Sequence, residues 1–217
     1  MERVEASIRG WPQAPYRSKV ETDSNFRRMV RETMKPENLA AMDVGLASHN
    51  LFELAYAMAL AHERGALDRI QFEMLEGMAN HQRRALFELS HNVLLYAPAC
   101  RRENFINAIG YLIRRMDENT GPDNFLRYAF KIKAGSPEWA RLEKGFLDAF
   151  AIIPTVSAAP RRTQNRSLPP PERSAAVENG WQKFQNEPDT DFALPANQQW
   201  ANSLVAESRT VVAVTNT

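Results

Sequence analysis

Four consecutive stretches limit what this chain can fold into. Apolar runs of strand length at 70–76 and 92–97 alternate with helical patterns at 79–90 and 103–119. Parallel strands cannot be joined by a tight turn. They need a crossover, usually a helix, so this alternation predicts βα units and a parallel sheet, an α/β fold.

Upstream, residues 2–10 suit a charged helix that Gly10-Trp11-Pro12 stops. Thr22-Asp23-Ser24 reads as an N-cap region for a helix through Met29, Val30 and Met34, ended by Pro36. Leu39 to Leu46 is a strand candidate leading into Ser48-His49-Asn50, and the apolar spacing from Leu51 to His62 predicts a helix closed near Gly65. Two more helices are expected, from Pro122 to about Lys131 and from Pro137 to about Ala151. Ser136-Pro137-Glu138 supplies the second with a cap, a proline in the first turn and an early acid.

The helical pattern at 103–119 carries the main chemical signal. Phe105, Ile106, Ile109, Leu112 and Ile113 recur at three- and four-residue steps, and then Arg114 and Arg115 stand side by side. Adjacent helix positions point roughly 100° apart, so both guanidinia cannot hang from one solvent face. Glu118 follows Arg114 by four residues and Arg115 by three, within reach of either. Spacing alone leaves two readings: a solvated Arg/Glu face, or a doubled cation fixed by a carboxylate. The second suits a small carboxylate ligand, because arginine offers planar, paired donors.

Lys and Arg number 27 against 26 Asp and Glu, a balance that gives nucleic acid or an anionic membrane surface no electrostatic foothold. The lone cysteine, Cys100, permits no intrachain disulfide and fits a reducing compartment. His62, His81 and His91 lack metal-ligand spacing. No apolar run approaches the ~20 residues of a membrane-spanning helix, and Met-Glu-Arg-Val-Glu does not open a signal peptide. A soluble, cytoplasmic protein is expected. After Pro154 the composition changes: Ser157 to Arg162 and Leu168-Pro169-Pro170-Pro171 read as an extended linker. The last residues, 210–217, are expected to be unstructured.

Four stretches in this order resemble the C-terminal part of the proline dehydrogenase domain of bifunctional proline utilization A flavoenzymes. They are Ala47-Ser48-His49-Asn50, Phe72 to Met78, Leu95-Tyr96-Ala97-Pro98 and Tyr111 to Arg127. The resemblance implies part of a (β/α)8 TIM-type barrel over residues 1–153, a Pro/Arg-rich linker over 154–183, and the start of an aldehyde dehydrogenase half over 184–217. A whole barrel of this type has roughly 250 residues, so the earlier strands would be missing and an edge strand and one side of the core would be exposed.

The resemblance also implies FAD as cofactor, L-proline as substrate and oxidation to 1-pyrroline-5-carboxylate. NAD would serve the aldehyde dehydrogenase half. Arg114 and Arg115 would bind the substrate carboxylate and Glu118 would hold them. Tyr96, Tyr111 and Leu75 would line the pocket, and His49, with Ser48 and Asn50, would contact the flavin. Family members pass electrons to quinones, so peripheral membrane contact stays open, as does a homo-oligomer. The alternative is a non-catalytic segment that packs against another chain.

Overall fold

The computed structural model of the chain describes residues 2–169, 177–178, 181–182 and 186–215. Its helices are α1 (Glu2–Arg9), α2 (Lys19–Thr33), α3 (Pro36–Leu39), α4 (Leu51–Glu63), α5 (Asn80–Ser90), α6 (Phe105–Asn119), α7 (Leu126–Ala129), α8 (Pro137–Ala151) and α9 (Pro195–Thr215). Its strands are β1 (Val44–Ala47), β2 (Ile70–Leu75), β3 (Val93–Tyr96), β4 (Val177–Glu178) and β5 (Trp181–Gln182). Residues 18–156 form one compact unit; residues 1–17 and 157–217 group as a second.

The first unit is an α/β structure, as the alternation predicted. β1, β2 and β3 lie in that order and pair in parallel, with Leu46 opposite Phe72, Phe72 opposite Val93 and Leu75 opposite Tyr96. The central strand alternates cleanly. Ile70, Phe72 and Met74 are buried and pack with Leu46, Leu54, Ala57, Ala61 and Leu86 in the core, while Gln71, Glu73 and Leu75 point to the other face. Asn92 staples β2 to β3: its Nδ2 donates to the Ile70 carbonyl, its Oδ1 accepts from Gln71 and its carbonyl accepts from the Phe72 N–H. Because the pairing is parallel, all three strands end on one side of the sheet.

Several boundaries differ from the sequence expectation, each for a local reason. α2 begins at Lys19 rather than near Thr22, because Ser18 and Glu21 close a capping box. Ser18→Ala is therefore expected to destabilise this unit by about 1 kcal/mol, read as a shift of the urea midpoint. The expected strand from Leu39 begins only at Val44, since Pro36 opens the helical turn α3 instead. The helix expected from Pro122 shrinks to Leu126–Ala129; Asn124 Oδ1 accepts from the Leu126 N–H and holds a turn in place of the helix start. α8 starts as expected, with Ser136 Oγ accepting from the Trp139 N–H.

α2 and α4 meet α8 through an aromatic cluster. Phe52 packs on Trp139 at 4.9 Å between centroids, and Tyr56 and Phe146 each meet Phe150 edge-on at 5.1 and 5.0 Å. The opposite flank is open. β3 ends the sheet, and α6 has no buried residue: Ile106, Ile113 and Met116 are exposed, Ile106 to 76%.

In the second unit, buried Asn197 receives the Arg166 N–H on Oδ1 and donates to Gln164 and to the Asp191 carbonyl. α9 continues to Thr215, so the ending expected to be unstructured is helical. Of the expected linker and the segment after it, residues 170–176, 179–180 and 183–185 lie outside the described residues, as do 216–217. Among the described residues, no helix is long and apolar enough to cross a membrane.

Candidate functional site

Parallel strands bring their C-terminal ends together, and ligands of α/β proteins bind at such ends. Here those ends carry the turn 48–50 after β1, Leu75 closing β2 and Tyr96 closing β3. The turn is built by its own side chains. Ser48 Oγ accepts from the Asn50 N–H at 3.1 Å, and Asn50 Oδ1 caps α4 by accepting from the Phe52 N–H at 3.1 Å. Ser48 and Asn50, expected to contact a cofactor, thus direct these oxygens to local geometry.

His49 lies between them and crosses to the next strand, where its Nε2 accepts the Leu75 backbone N–H at 3.2 Å. An accepting Nε2 places the imidazole proton on Nδ1. Burial holds the His49 pKa below its usual value, and the accepted Leu75 N–H likewise favours the neutral ring.

From Leu75 the contacts run on to α6. Leu75 pairs with Tyr96, whose ring meets Tyr111 in a T-shaped contact at 6.3 Å. The Arg115 guanidinium stands 5.6 Å from the Tyr111 ring centroid, and its Nη2 pairs with Glu118 Oε2 at 2.7 Å. Glu118 could reach either arginine by spacing; the structure pairs it with Arg115. Arg114, on the same turn of α6, is exposed. Arg115 Nε is buried and has no hydrogen-bond partner among the described residues.

The structure therefore places His49, Leu75, Tyr96, Tyr111, Arg115 and Glu118 in one continuous series of contacts. Its chemistry is that of a receptor for a small anion: a fixed cation, two phenol rings and a neutral imidazole with one N–H to donate. Two cavities among the described residues take their walls from other side chains. One of about 410 Å³ takes walls from Leu51, His81, Gln82, Phe130 and Trp139. The other, about 510 Å³, belongs to the second unit, where Arg162 and Arg166 on its walls are already paired with Asp191 and Glu187.

Sequence reasoning missed a buried pair next to the site. Arg27 and Glu53 join in a two-pronged ion pair, with Nε to Oε2 at 3.1 Å and Nη2 to Oε1. The signal was present: Glu53, Ala57 and Ala61 form one buried stripe of α4, as Ser24, Arg27 and Val30 do on α2. A charge on each of two apolar stripes asks for a partner.

The model of the family described as Proline dehydrogenase matches residues 1–128. Proline dehydrogenase 2 of Bacillus subtilis (strain 168) is 26% identical over 129 residues, which cover 59% of this chain and 39% of that protein. The solved structure of Proline Utilization A from Corynebacterium freiburgense superposes with a TM-score of 0.70 at 34% identity, over 94% of this chain and 17% of that one. The chain thus spans well under two thirds of the length of either protein.

Proposed function

The chain belongs to the proline dehydrogenase family, and from that premise we propose that residues 18–156 carry part of a flavin-dependent site that oxidises L-proline to 1-pyrroline-5-carboxylate. One observation supports this most directly: Arg115, paired with Glu118 and set against the Tyr111 ring, keeps a partly exposed guanidinium at the end of this series of contacts. A substrate carboxylate would accept from the exposed part of that guanidinium, and Arg114 on the adjacent position adds a second guanidinium to the same end of α6.

The remaining residues orient a small zwitterion. Tyr96 and Tyr111 give flat apolar walls with a polar tip each, and Leu75 gives the aliphatic side of a ring pocket. Holding the substrate in one pose is most of what the protein contributes to a flavin reaction. FAD, when bound, takes up the hydride equivalent from the ring carbon next to nitrogen. The side chains present fit a flavin, because His49 keeps Nδ1–H to donate to a flavin carbonyl or phosphate oxygen while Leu75 occupies Nε2. Ser48 and Asn50 then support the contact by shaping the turn. A quinone or another electron acceptor would take up the electrons from the flavin.

The stretch from residue 184 is proposed as the lead-in to an NAD-dependent aldehyde dehydrogenase half, supported by a structural likeness that covers 94% of the chain. A second reading, a non-catalytic segment that packs on a partner chain, draws support from the exposed apolar row of α6 beside the unpaired edge of β3.

A visible spectrum separates the two readings. The chain is mixed with FAD, desalted and scanned; retained flavin bands that bleach with proline support the enzyme, and a colourless protein supports the packing segment. His49→Ala is expected to weaken flavin binding about tenfold, the loss of one hydrogen bond to a charged or polar oxygen. Proline affinity of the flavin-loaded fraction should stay within twofold. Equal flavin occupancy in variant and parent would remove His49 from the cofactor site.

A further inference from the structure

The first turn of α4 departs from the usual arrangement in a way that joins the site to two distant helices. Asn50 is the N-cap, so Glu53 holds the third helical position, where an acid normally reaches back to the N-cap backbone N–H. Here Ser48 Oγ takes that N–H instead. Glu53 is released to turn inward, where both its oxygens accept from Arg27 of α2. Arg27 is fully buried, and its third nitrogen, Nη1, donates to the Phe146 carbonyl of α8 at 2.7 Å. The Phe146 and Phe150 rings lie against its guanidinium at 4.3 and 4.8 Å. All three guanidinium nitrogens of Arg27 are thus engaged, and two rings lie against its guanidinium.

We infer that Arg27 and Glu53 are positioning residues for His49: they seat the first turn of α4 against α2 and α8, and that seat aims the imidazole at Leu75. A buried ion pair is seldom the most stable filling of a core, since apolar side chains of similar volume do as well or better. What a two-pronged pair supplies is a single angle and register, which an apolar contact leaves looser. His49 stands four residues before Glu53 on the segment so fixed. Its bond to the Leu75 N–H tolerates only a few tenths of an ångström. The importance of that aim rests on the flavin reading above, but the aim itself is measurable without flavin.

The test is amide hydrogen exchange on the flavin-free full chain. Two amides of β2 are compared: Leu75, which donates to His49, and Phe72, which donates to the Asn92 carbonyl at 3.0 Å. In Arg27→Met/Glu53→Met, the ratio of Leu75 to Phe72 exchange is expected to rise about tenfold, with the His49 Nε2 nitrogen resonance moving toward that of an imidazole free of this bond. Arg27→Lys keeps the charge but loses the fork, and should raise the ratio severalfold. A ratio unchanged in a variant with parental circular dichroism overturns the assignment. So does unfolding of both variants, which would make the pair a folding element only. Failure of His49→Ala to alter flavin occupancy would instead count against the flavin reading and leave the positioning intact.

Discussion

Arg115→Ala is expected to raise the proline concentration that half-bleaches the flavin-loaded chain by about 100-fold, with flavin content close to the parent's. The size follows from what is removed. A charge-assisted, paired contact between guanidinium and carboxylate lies toward the upper end of about 1.5–3 kcal/mol, a range of about one to two decades in affinity. Little of the loss should come from unfolding. The Arg115–Glu118 pair is 39% and 56% exposed at its two side chains, and such pairs add little stability.

Glu118→Gln provides the complementary case. The cation stays but loses its fixed partner, so a smaller, severalfold loss is expected. Arg115→Lys should not rescue, because a single ammonium cannot make two parallel bonds. Loss of flavin with unchanged proline affinity in Arg115→Ala would move this residue from the substrate to the cofactor.

The sequence made the α/β class and the strand ends legible because both rest on short-range periodicity, whereas the candidate site residues were named through the resemblance to the proline dehydrogenase family. Alternation of period two and of three to four sets which residues share a face, and strand ends then fall where the runs stop. Leu75 and Tyr96 could therefore be placed at strand ends, and Glu118 within reach of the arginines. Three things were not legible. That Glu118 pairs with Arg115 rests on side-chain placement along α6, which residue spacing leaves open. The roles of Ser48 and Asn50 were hidden because hydroxyl and amide oxygens serve a backbone turn as readily as a ligand. The Arg27–Glu53 pair joins residues 26 positions apart, a separation on which periodicity is silent.

Arg27→Met alone is expected to destabilise residues 18–156 by about 3–5 kcal/mol at neutral pH, far more than Arg27→Met/Glu53→Met. The single change leaves a buried carboxylate with no counter-charge, whereas the double change leaves none. The pH dependence separates this cause from simple loss of packing. In the parent, burial already raises the Glu53 pKa and Arg27 partly counters it. Removing Arg27 raises the folded-state value further while the unfolded value stays near 4.3.

An acid with a raised folded pKa binds its proton more tightly when folded, so stability is retained below the unfolded pKa and lost as pH rises through the folded one. The gap between parent and Arg27→Met should therefore narrow as pH falls from 7 to 5, read from urea midpoints of both at each pH. In the double variant no carboxylate remains at this position, so its gap to the parent should be small and should vary with pH only as far as the parent's own Glu53 titrates. A gap for the single variant that is equally large at both values would assign the loss to the Phe146 and Phe150 contacts of Arg27 rather than to the stranded charge. If instead the double variant is as stable as the parent but loses the Leu75 amide protection, stability and aim have been separated in one pair of residues. That is the result expected of a buried charge kept for geometry.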